Sequence, residues 1–376
     1  MEKNTEHEKP TLRHILVIAI FLAIIGVFFI LNFAVPAPGV LISERRAPAT
    51  LPAFNVNNLA NASWMDRFED YAADRFVFRD TFRTVRAATV FGPLLQTDKN
   101  GLFFGASGAG EFQKLDPVSG QRTANIIKQM AGTIQGCNIY YTIVPDKSLY
   151  AGKFLPGFVL PDAEAIFNAT LSGYTYIPLK DSITSASFYR TDIHWDQSQI
   201  SAVVSTLASA MGAAADLSGY TEQTAGNWHG IYNGQLALPM APDVMTYLTS
   251  PTLTAKYLNP ATQVFEDGPV YDLPGFAGLD PYDIFLSGAQ PVIELDNPGA
   301  GTQRTLYIFR DSFGSSLGPL IASAYSKVVL IDLRYIDARI LDQFVTFTPG
   351  SDVLFMYSSQ ILNNPSVLRG AWSTGS

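Results

Sequence analysis

One of the four histidines in the chain is spaced for acid–base chemistry. Two of the four lie before or at the start of a long apolar segment, which leaves His194 and His229. In the stretch YRTDIHWDQ, His194 follows Asp192 by two positions. Side chains at i and i+2 of an extended segment point to the same side, so Asp192 could hold Nδ1–H of His194 and leave Nε2 free to accept a proton, as in a serine triad. A loop histidine that makes only a structural hydrogen bond fits the same pattern.

A serine that could act as the nucleophile follows a predicted buried strand. In RTLYIFRDSFGSSLGPL, the apolar run from Thr305 to Phe309 predicts a strand, and a helix is expected from about Gly314. Ser312 would stand between them, at a helix N-terminus, where backbone N–H groups can stabilise an oxyanion. This is the geometry of a nucleophile elbow, without the G-x-S-x-G sequence. Alternatively, Ser312 or Asp311 only caps the helix.

The same histidine stretch allows a metal site. Asp192, His194 and Asp196 form a D-x-H-x-D run that could bind a divalent cation. Two-metal hydrolases need several more ligands, and only His229 remains to supply an imidazole. We therefore rank a metal-dependent hydrolase below a serine enzyme, and we expect no cofactor.

Four further residues are candidates for substrate binding. Arg334 and Tyr335 follow a predicted strand in IDLRYI and could line a cleft. Lys147, after IVPD, could bind an anionic sugar or support the site. For the two basic residues, a structural ion pair is the alternative. Trp228 could stack on a sugar ring or pack in the core.

Composition excludes several classes of function. The chain has 376 residues, 47% of them hydrophobic, which is enough for at least one full core. The net charge is −8 and no Lys/Arg cluster is present, so nucleic acid is not an expected partner. The single cysteine, Cys137, excludes an intrachain disulfide framework and a CxxC zinc site.

The N-terminal region predicts membrane attachment. The run from Ile15 to Leu31 is uncharged and long enough to span a bilayer. It exceeds the usual apolar region of a cleaved signal peptide, so we predict a retained signal anchor at 15–34, although FAVPAPG beyond it offers a cleavage site. The positive-inside count predicts a cytoplasmic tail over 1–14, with the main domain periplasmic or extracellular.

The rest of the chain divides into a tether and a large domain. Residues 35–97 are predicted to be a Pro/Ala-rich tether and an amphipathic helical segment, which we expect to pack on the main domain rather than on a membrane surface. Over 98–376, predicted strands and helices alternate, which indicates a parallel sheet covered by helices. Within this domain, 219–300 is rich in Gly, Pro and aromatic residues without clear periodicity, which predicts a loop-rich insertion of long loops and short strands.

Two of these motifs resemble known protein families. YRTDIHW resembles the motif that names the DHHW family. FRDSFGSSLGPL, followed by the D-x-R-Y block in IDLRYI, is similar to the corresponding blocks of that family and of the alginate O-acetyltransferase-like family. Further stretches match in the same order, including GLFFG, WHGIYNG and YDIFLSGAQP, so the resemblance covers about 43–365.

The resemblance implies an α/β fold, the three-layer sandwich with a central parallel sheet of the SGNH hydrolases. It implies Ser312 as nucleophile, His194 as base, Asp192 as the residue that orients the histidine, and the N–H of Ser312 as an oxyanion donor. Related proteins transfer acetyl groups to exopolysaccharides outside the cytoplasm, with a membrane-bound O-acyltransferase as the acetyl donor. The sequence departs from the pattern at Ile193, whose side chain should point away from the site, and at Gln290, which replaces an asparagine that is expected to assist the oxyanion hole.

The expected function is a membrane-anchored, extracytoplasmic serine O-acetyltransferase or esterase that acts on a cell-surface polysaccharide. The expected partners are a glycan acceptor, a membrane-bound O-acyltransferase and the membrane itself. Gln290, with the four candidates above, is expected to contact substrate. A non-catalytic glycan-binding or assembly protein with an SGNH-like fold is the main alternative.

Overall fold

The structure is a computed structural model that describes residues 12–54, 63–105, 108–150, 160–300 and 302–370. The chain divides into two compact units between Arg86 and Ala87. Most of the predicted cytoplasmic tail lies outside the described residues. The predicted boundary between tether and main domain, at 97–98, remains a prediction.

Helices and strands alternate through most of the chain. The α-helices are α1 (Leu12–Ala34), α2 (Ser63–Asp74), α3 (Arg79–Phe91), α4 (Pro117–Thr133), α5 (Leu160–Thr170), α6 (Ser201–Ala210), α7 (Ile231–Leu236), α8 (Leu273–Phe276), α9 (Phe313–Ile321) and α10 (Ser359–Asn363). The strands are β1 (Asp98–Lys99), β2 (Leu102–Gly105), β3 (Gly108–Glu111), β4 (Asn138–Val144), β5 (Thr175–Tyr176), β6 (Thr221–Trp228), β7 (Asp243–Thr249), β8 (Thr254–Asn259), β9 (Val264–Gly268), β10 (Val292–Asp296), β11 (Thr305–Arg310), β12 (Lys327–Ile331) and β13 (Asp352–Ser358).

In the first unit, α1 is the one helix of the described residues that is long and apolar enough to cross a membrane. Its 23 residues extend about 35 Å at 1.5 Å per residue, slightly more than the hydrocarbon core of a bilayer. Near its end, Phe28 stacks on Phe76 with ring centroids 5.7 Å apart. The side chain of Asn32 accepts a hydrogen bond from the N–H of Val77. The end of α1 therefore packs against the segment between α2 and α3.

In the second unit, the described residues form a main sheet of eight strands in the order β5-β4-β13-β11-β12-β10-β8-β9. The strands from β5 to β12 are parallel, and β10, β8 and β9 are antiparallel. The mostly parallel sheet confirms the predicted α/β class. Its antiparallel strands come from 219–300, so part of the region expected to be loop-rich completes the sheet.

Helices cover both faces of this sheet because its central strands are apolar on both faces. In β11, Leu306 and Ile308 join a core cluster that includes residues of α6 and α9. Tyr307 and Phe309 point the other way, into a cluster with residues of α4 and α5. A strand buried on both sides reads as a continuous apolar run in the sequence. The resulting three layers are the predicted SGNH-hydrolase-like sandwich.

The carboxyl ends of the parallel strands meet at one edge of the sheet. Strand β11 is followed directly by Asp311 and Ser312. Strand β12 is followed by Asp332, and β4 leads to the 3-10 turn Lys147–Tyr150. Ligands of open α/β sheets bind at this edge, and several of the candidate site residues lie there.

Candidate active site

The hydroxyl of Ser312 is not used to cap helix α9, although the residue stands at the N-cap position. Asp311 provides the capping bond, because its Oδ1 accepts from the N–H of Phe313 at 3.0 Å. Its Oδ2 accepts from the N–H of Ser358 at 2.8 Å, which ties the turn to the neighbouring strand β13. Of the two caps considered from the sequence, Asp311 makes the bond, and the Ser312 hydroxyl is left for another partner.

That partner is His194, and the three residues of the predicted triad form one hydrogen-bonded chain. Nε2 of His194 lies 2.7 Å from Oγ of Ser312, and Nδ1 lies 2.6 Å from Oδ1 of Asp192. The other carboxylate oxygen of Asp192 accepts from the N–H of Ile231 at 2.9 Å. With the Nδ1 proton donated to Asp192, Nε2 is the ring atom that can accept the serine proton.

Two aromatic rings enclose the imidazole of His194. The ring of Tyr282 lies parallel to it, with centroids 3.7 Å apart and an interplanar angle of 9°, and Phe313 approaches at 5.1 Å. The hydroxyl of Tyr282 donates to Oγ of Ser316 at 2.7 Å, and the indole N–H of Trp195 donates to the same oxygen at 2.8 Å. Tyr282 therefore covers one face of the imidazole, and the bond to Ser316 holds the Tyr282 ring in place.

Lys147 supports the loop that carries Asp192. It is 5% exposed, and its ammonium donates to the carbonyl oxygens of Tyr189 at 2.6 Å, Arg190 at 3.3 Å and Asp192 at 3.1 Å. Burial lowers the pKa of Lys147 to about 8, against the nearby charge of Asp192, which raises it. The sequence left two roles open for Lys147, support of the site and contact with a sugar. These contacts favour support of the site.

Asp243 fixes the same loop from the other side. Its Oδ1 accepts from the N–H of Arg190 at 2.7 Å, and its Oδ2 accepts from the N–H and the hydroxyl of Thr191 at 2.8 and 2.5 Å. The hydroxyl oxygen of Thr191 accepts from the N–H of Gly230 at 2.6 Å. A Cβ at Gly230 would lie 2.3 Å from the Cβ of Asp192, so only glycine fits there.

Sequence reasoning missed Tyr282, Asp243 and Thr191 as parts of this site. The family-like stretches YDIFLSGAQP and WHGIYNG marked the regions of Tyr282 and Gly230, but the residue spacing gave no reason to connect them to His194. Asp243 carried no signal, because an isolated acidic residue at the start of a strand is common.

Two buried charges were also missed. Arg310 and Asp332 are 1% and 0% exposed, with Nη1 and Oδ2 3.5 Å apart. Nη1 of Arg310 also donates to Oγ of Ser315 at 2.9 Å, while its Nε and Nη2 have no hydrogen-bond partner among the described residues. Burial lowers the pKa of Arg310, and the charge of Asp332 opposes that shift. Among the described residues, Arg310, beside the Asp311–Ser312 turn, therefore forms its ion pair with Asp332, and its hydrogen bonds go to Ser315 and to the carbonyl of Asp311.

Arg334 and Gln290 make side-chain hydrogen bonds to residues outside the triad. Arg334 pairs with Asp332, with its Nη2 2.7 Å from Oδ2, and its guanidinium lies over the ring of Tyr335, which is 40% exposed. Gln290 donates to the carbonyl of Ser287 in its own loop at 3.1 Å rather than to a triad residue. Trp228 is 4% exposed and packs in the core, which is the second of the two roles considered from the sequence.

One of the three residues of the alternative metal site, Asp196, is a helix cap instead. Asp196 points away into a capping role, where its Oδ1 accepts from the N–H and hydroxyl of Ser198, each at 2.9 Å. Across the described residues, no three His, Cys, Asp or Glu side chains are grouped to hold an ion. The oxygen and nitrogen atoms of Asp192 and His194 are instead used within the hydrogen-bonded chain.

Comparison with solved structures supports the fold assignment. A DHHW family protein from Eubacterium siraeum superposes with a TM-score of 0.56 and 19% identity over 72% of this chain and 94% of that one. Bacillus cereus PatB1, solved with a sulfonyl adduct, superposes with a TM-score of 0.56 and 15% identity over 71% of this chain and 99% of its own. The chain shares the fold of these proteins.

A third structure, the O-acetyltransferase domain of Pseudomonas putida AlgJ, gives a TM-score of 0.43 and 14% identity over 70% of this chain and 92% of that one. No protein-family model and no curated protein sequence matches this chain. The TM-scores of 0.56 with the DHHW family protein and PatB1 show a likeness in fold alone.

Proposed function

We propose that this protein is a serine O-acetyltransferase that modifies a polysaccharide through an acetyl-enzyme on Ser312. The observation that carries the proposal is the chain of short contacts from Oγ of Ser312 to Nε2 of His194 and from Nδ1 to Oδ1 of Asp192. A hydroxyl, a base and an orienting carboxylate in this order form the arrangement that activates a serine for acyl transfer. The shared fold with PatB1 and the DHHW protein is consistent with it.

In the first half-reaction, Oγ of Ser312 attacks the acetyl carbonyl while Nε2 of His194 takes the hydroxyl proton. The tetrahedral oxyanion is stabilised by the N–H of Ser312 at the start of α9. His194 then returns the proton to the leaving group, and the acetyl ester of Ser312 remains. Such base assistance contributes about 10²–10⁴-fold to the rate.

In the second half-reaction, a sugar hydroxyl attacks the ester of Ser312. Nε2 of His194 takes the sugar proton, the bond from the acetyl carbon to Oγ breaks, and His194 protonates Oγ. Attack by water instead gives acetate, so transferase and esterase outcomes depend on how well water is excluded. The two outcomes share every residue of the triad.

We further propose that α1 anchors the protein, with the catalytic unit periplasmic or extracellular. A membrane-bound O-acyltransferase as the acetyl donor fits this placement. The apolarity and length of α1 support the anchor. Membrane fractionation and protease protection in cells would test it, since the proposed topology makes the second unit accessible only from outside.

The proposal is tested with full-length protein in detergent and an activated acetyl ester. Wild type should release acetate and should be inactivated by a sulfonyl fluoride, the class of reagent that fits the sulfonyl adduct of PatB1. Ser312→Ala should lose both responses, and Ser205→Ala, an exposed serine of α6, should keep both. Unchanged acetate release in Ser312→Ala would exclude the mechanism and favour a binding or assembly role.

A further inference from the structure

A polar cavity of about 580 Å³ opens at the carboxyl edge of the sheet. Its volume lies within the range of about 300–1,000 Å³ usual for ligand sites. The polar lining residues are Glu111, Gln113, Arg334, Gln360, Asn363 and Asn364. Phe112 supplies an aromatic ring to the same lining.

Hydrogen bonds tie two walls of this cavity to the triad. Strand β3, which ends at Glu111, is attached to the loop of Asp192, because the N–H of Ala109 donates to the carbonyl of Arg190 at 2.7 Å. Helix α10 provides Gln360 and follows Ser358, whose N–H donates to Asp311 at 2.8 Å. Two walls of the cavity are therefore continuous with the segment that carries the base and with the turn that carries the nucleophile.

The charges in the lining do not favour an anionic ligand. Arg334 is the one guanidinium among the described lining residues, and its Nε and Nη2 already bind the carboxylate of Asp332 at 2.9 and 2.7 Å. Burial tends to lower the pKa of Arg334, but the bond to Asp332 raises it overall, so the guanidinium stays charged. Glu111 adds a carboxylate that would repel a polyanion.

The amide groups suit hydroxyls instead. A carboxamide both donates and accepts hydrogen bonds, as a sugar hydroxyl does. Asn363 is used within the protein, accepting from the N–H of Asp116 and donating to the carbonyl of Lys114, each at 2.8 Å. Gln360 is exposed at the rim and makes no side-chain hydrogen bond with another described residue, so its carboxamide is available to a ligand. The exposed rim allows a polymer chain to enter and leave.

We propose that this cavity is the acceptor subsite and that it takes a neutral, hydroxyl-rich glycan rather than an anionic one. This inference rests on the proposed function, since it assigns the sugar of the second half-reaction. Gln360 binds a sugar hydroxyl from the rim, and the ring of Phe112 offers an apolar face to a pyranose. The acceptor hydroxyl enters between Glu111 and Gln360 to reach the ester of Ser312.

The test uses full-length protein loaded with acetyl from an activated ester and offered cellotriose, maltotriose, chitotriose or trigalacturonate. Mass spectrometry counts acetylated trisaccharides and, in parallel, acetyl-Ser312. At least one neutral trisaccharide should be acetylated, and trigalacturonate should not. Gln360→Leu should raise the KM for that neutral acceptor about fivefold, as expected for one lost hydrogen bond. Gln135→Leu, an exposed glutamine near the opposite edge of the sheet, is the matched control.

If trigalacturonate is acetylated as efficiently as the neutral trisaccharides, the assignment of a neutral glycan is wrong. If Gln360→Leu has the same KM for the neutral acceptor as Gln135→Leu, the assignment of this cavity as the acceptor subsite is wrong. A binding arm with Ser312→Ala protein needs no acyl chemistry: the same neutral trisaccharides should bind by calorimetry, and absence of binding counts against the cavity. If wild type forms no acetyl-Ser312 but the neutral trisaccharides bind, the proposed function is contradicted and the glycan subsite is retained.

Discussion

Tyr282 and His194 lie face to face, with ring centroids 3.7 Å apart and planes 9° from parallel. This contact joins a segment before β10 to the loop that carries the proposed base. When His194 accepts the serine proton it becomes an imidazolium. A cation above an aromatic face is stabilised by about 0.5–2 kcal/mol. The stacking therefore favours the charged form that exists only during the reaction.

Replacing the ring of Tyr282 should slow acyl transfer. Tyr282→Leu removes the stacked face, and we expect kcat/KM for an activated acetyl ester to fall about tenfold. Tyr282→Phe keeps the ring and loses only the bond to Ser316, so it should retain most of the activity. Equal losses in the two variants would show that the hydroxyl, and not the ring, is what matters.

Gly230 should not tolerate a side chain. A Cβ at this position would lie 2.3 Å from both the Cβ of Asp192 and the carbonyl oxygen of Thr191, so Gly230→Ala must displace the orienting carboxylate. A displacement of about 1 Å can cost about 10²-fold in rate, and ester turnover should fall by that order. Gly132→Ala, in helix α4 with open space around the added methyl group, is the control and should keep full activity.

The buried pair of Arg310 and Asp332 should be important for stability. Asp332→Asn removes the carboxylate that pairs with the buried guanidinium of Arg310, which we expect to lower the free energy of unfolding by about 3 kcal/mol. Adding Arg310→Met to this variant removes the more deeply buried of the two guanidinium groups that pair with Asp332 and should recover part of the loss. Urea unfolding measures both values. A double variant less stable than Asp332→Asn would contradict the account.

The titration of Lys147 should contribute to the pH dependence of the free energy of unfolding. Its pKa is lowered by burial to about 8, against an ordinary value of 10.5. Between these values the unfolded chain holds a proton that the folded chain has released, so this group makes the free energy of unfolding rise with pH, by about 3 kcal/mol in total. The difference in stability between wild type and Lys147→Met should change by that amount from pH 8 to 10.5. A constant difference would mean that Lys147 titrates normally.

The sequence was enough to select Asp192, His194 and Ser312 as candidates, which the structure places within hydrogen-bond distance of one another, because each has a local pattern. Asp192 and His194 are two positions apart, and Ser312 comes three residues after an apolar run that is typical of a buried strand. The supporting residues have no such pattern: Tyr282 and Asp243 reach the site through tertiary packing alone. The strands β8 to β10 were expected only as unplaced short strands among long loops, because the Gly and Pro residues that separate them leave no clear periodicity across 219–300. The sequence also could not predict the hydrogen bond of Gln290. The conformation of its loop, and not its residue type, places its side chain against the carbonyl of Ser287.

The central claim is that Ser312 carries the acetyl group, and trapping that intermediate tests it most directly. Full-length protein would be mixed with an activated acetyl ester, quenched in acid within the first turnover, digested and sequenced by mass spectrometry. The account predicts one acetyl group on the peptide that contains Ser312, strongly reduced in His194→Ala and absent in Ser312→Ala. Acetate release at the wild-type rate from Ser312→Ala, or acetylation of a different residue during turnover, would contradict it.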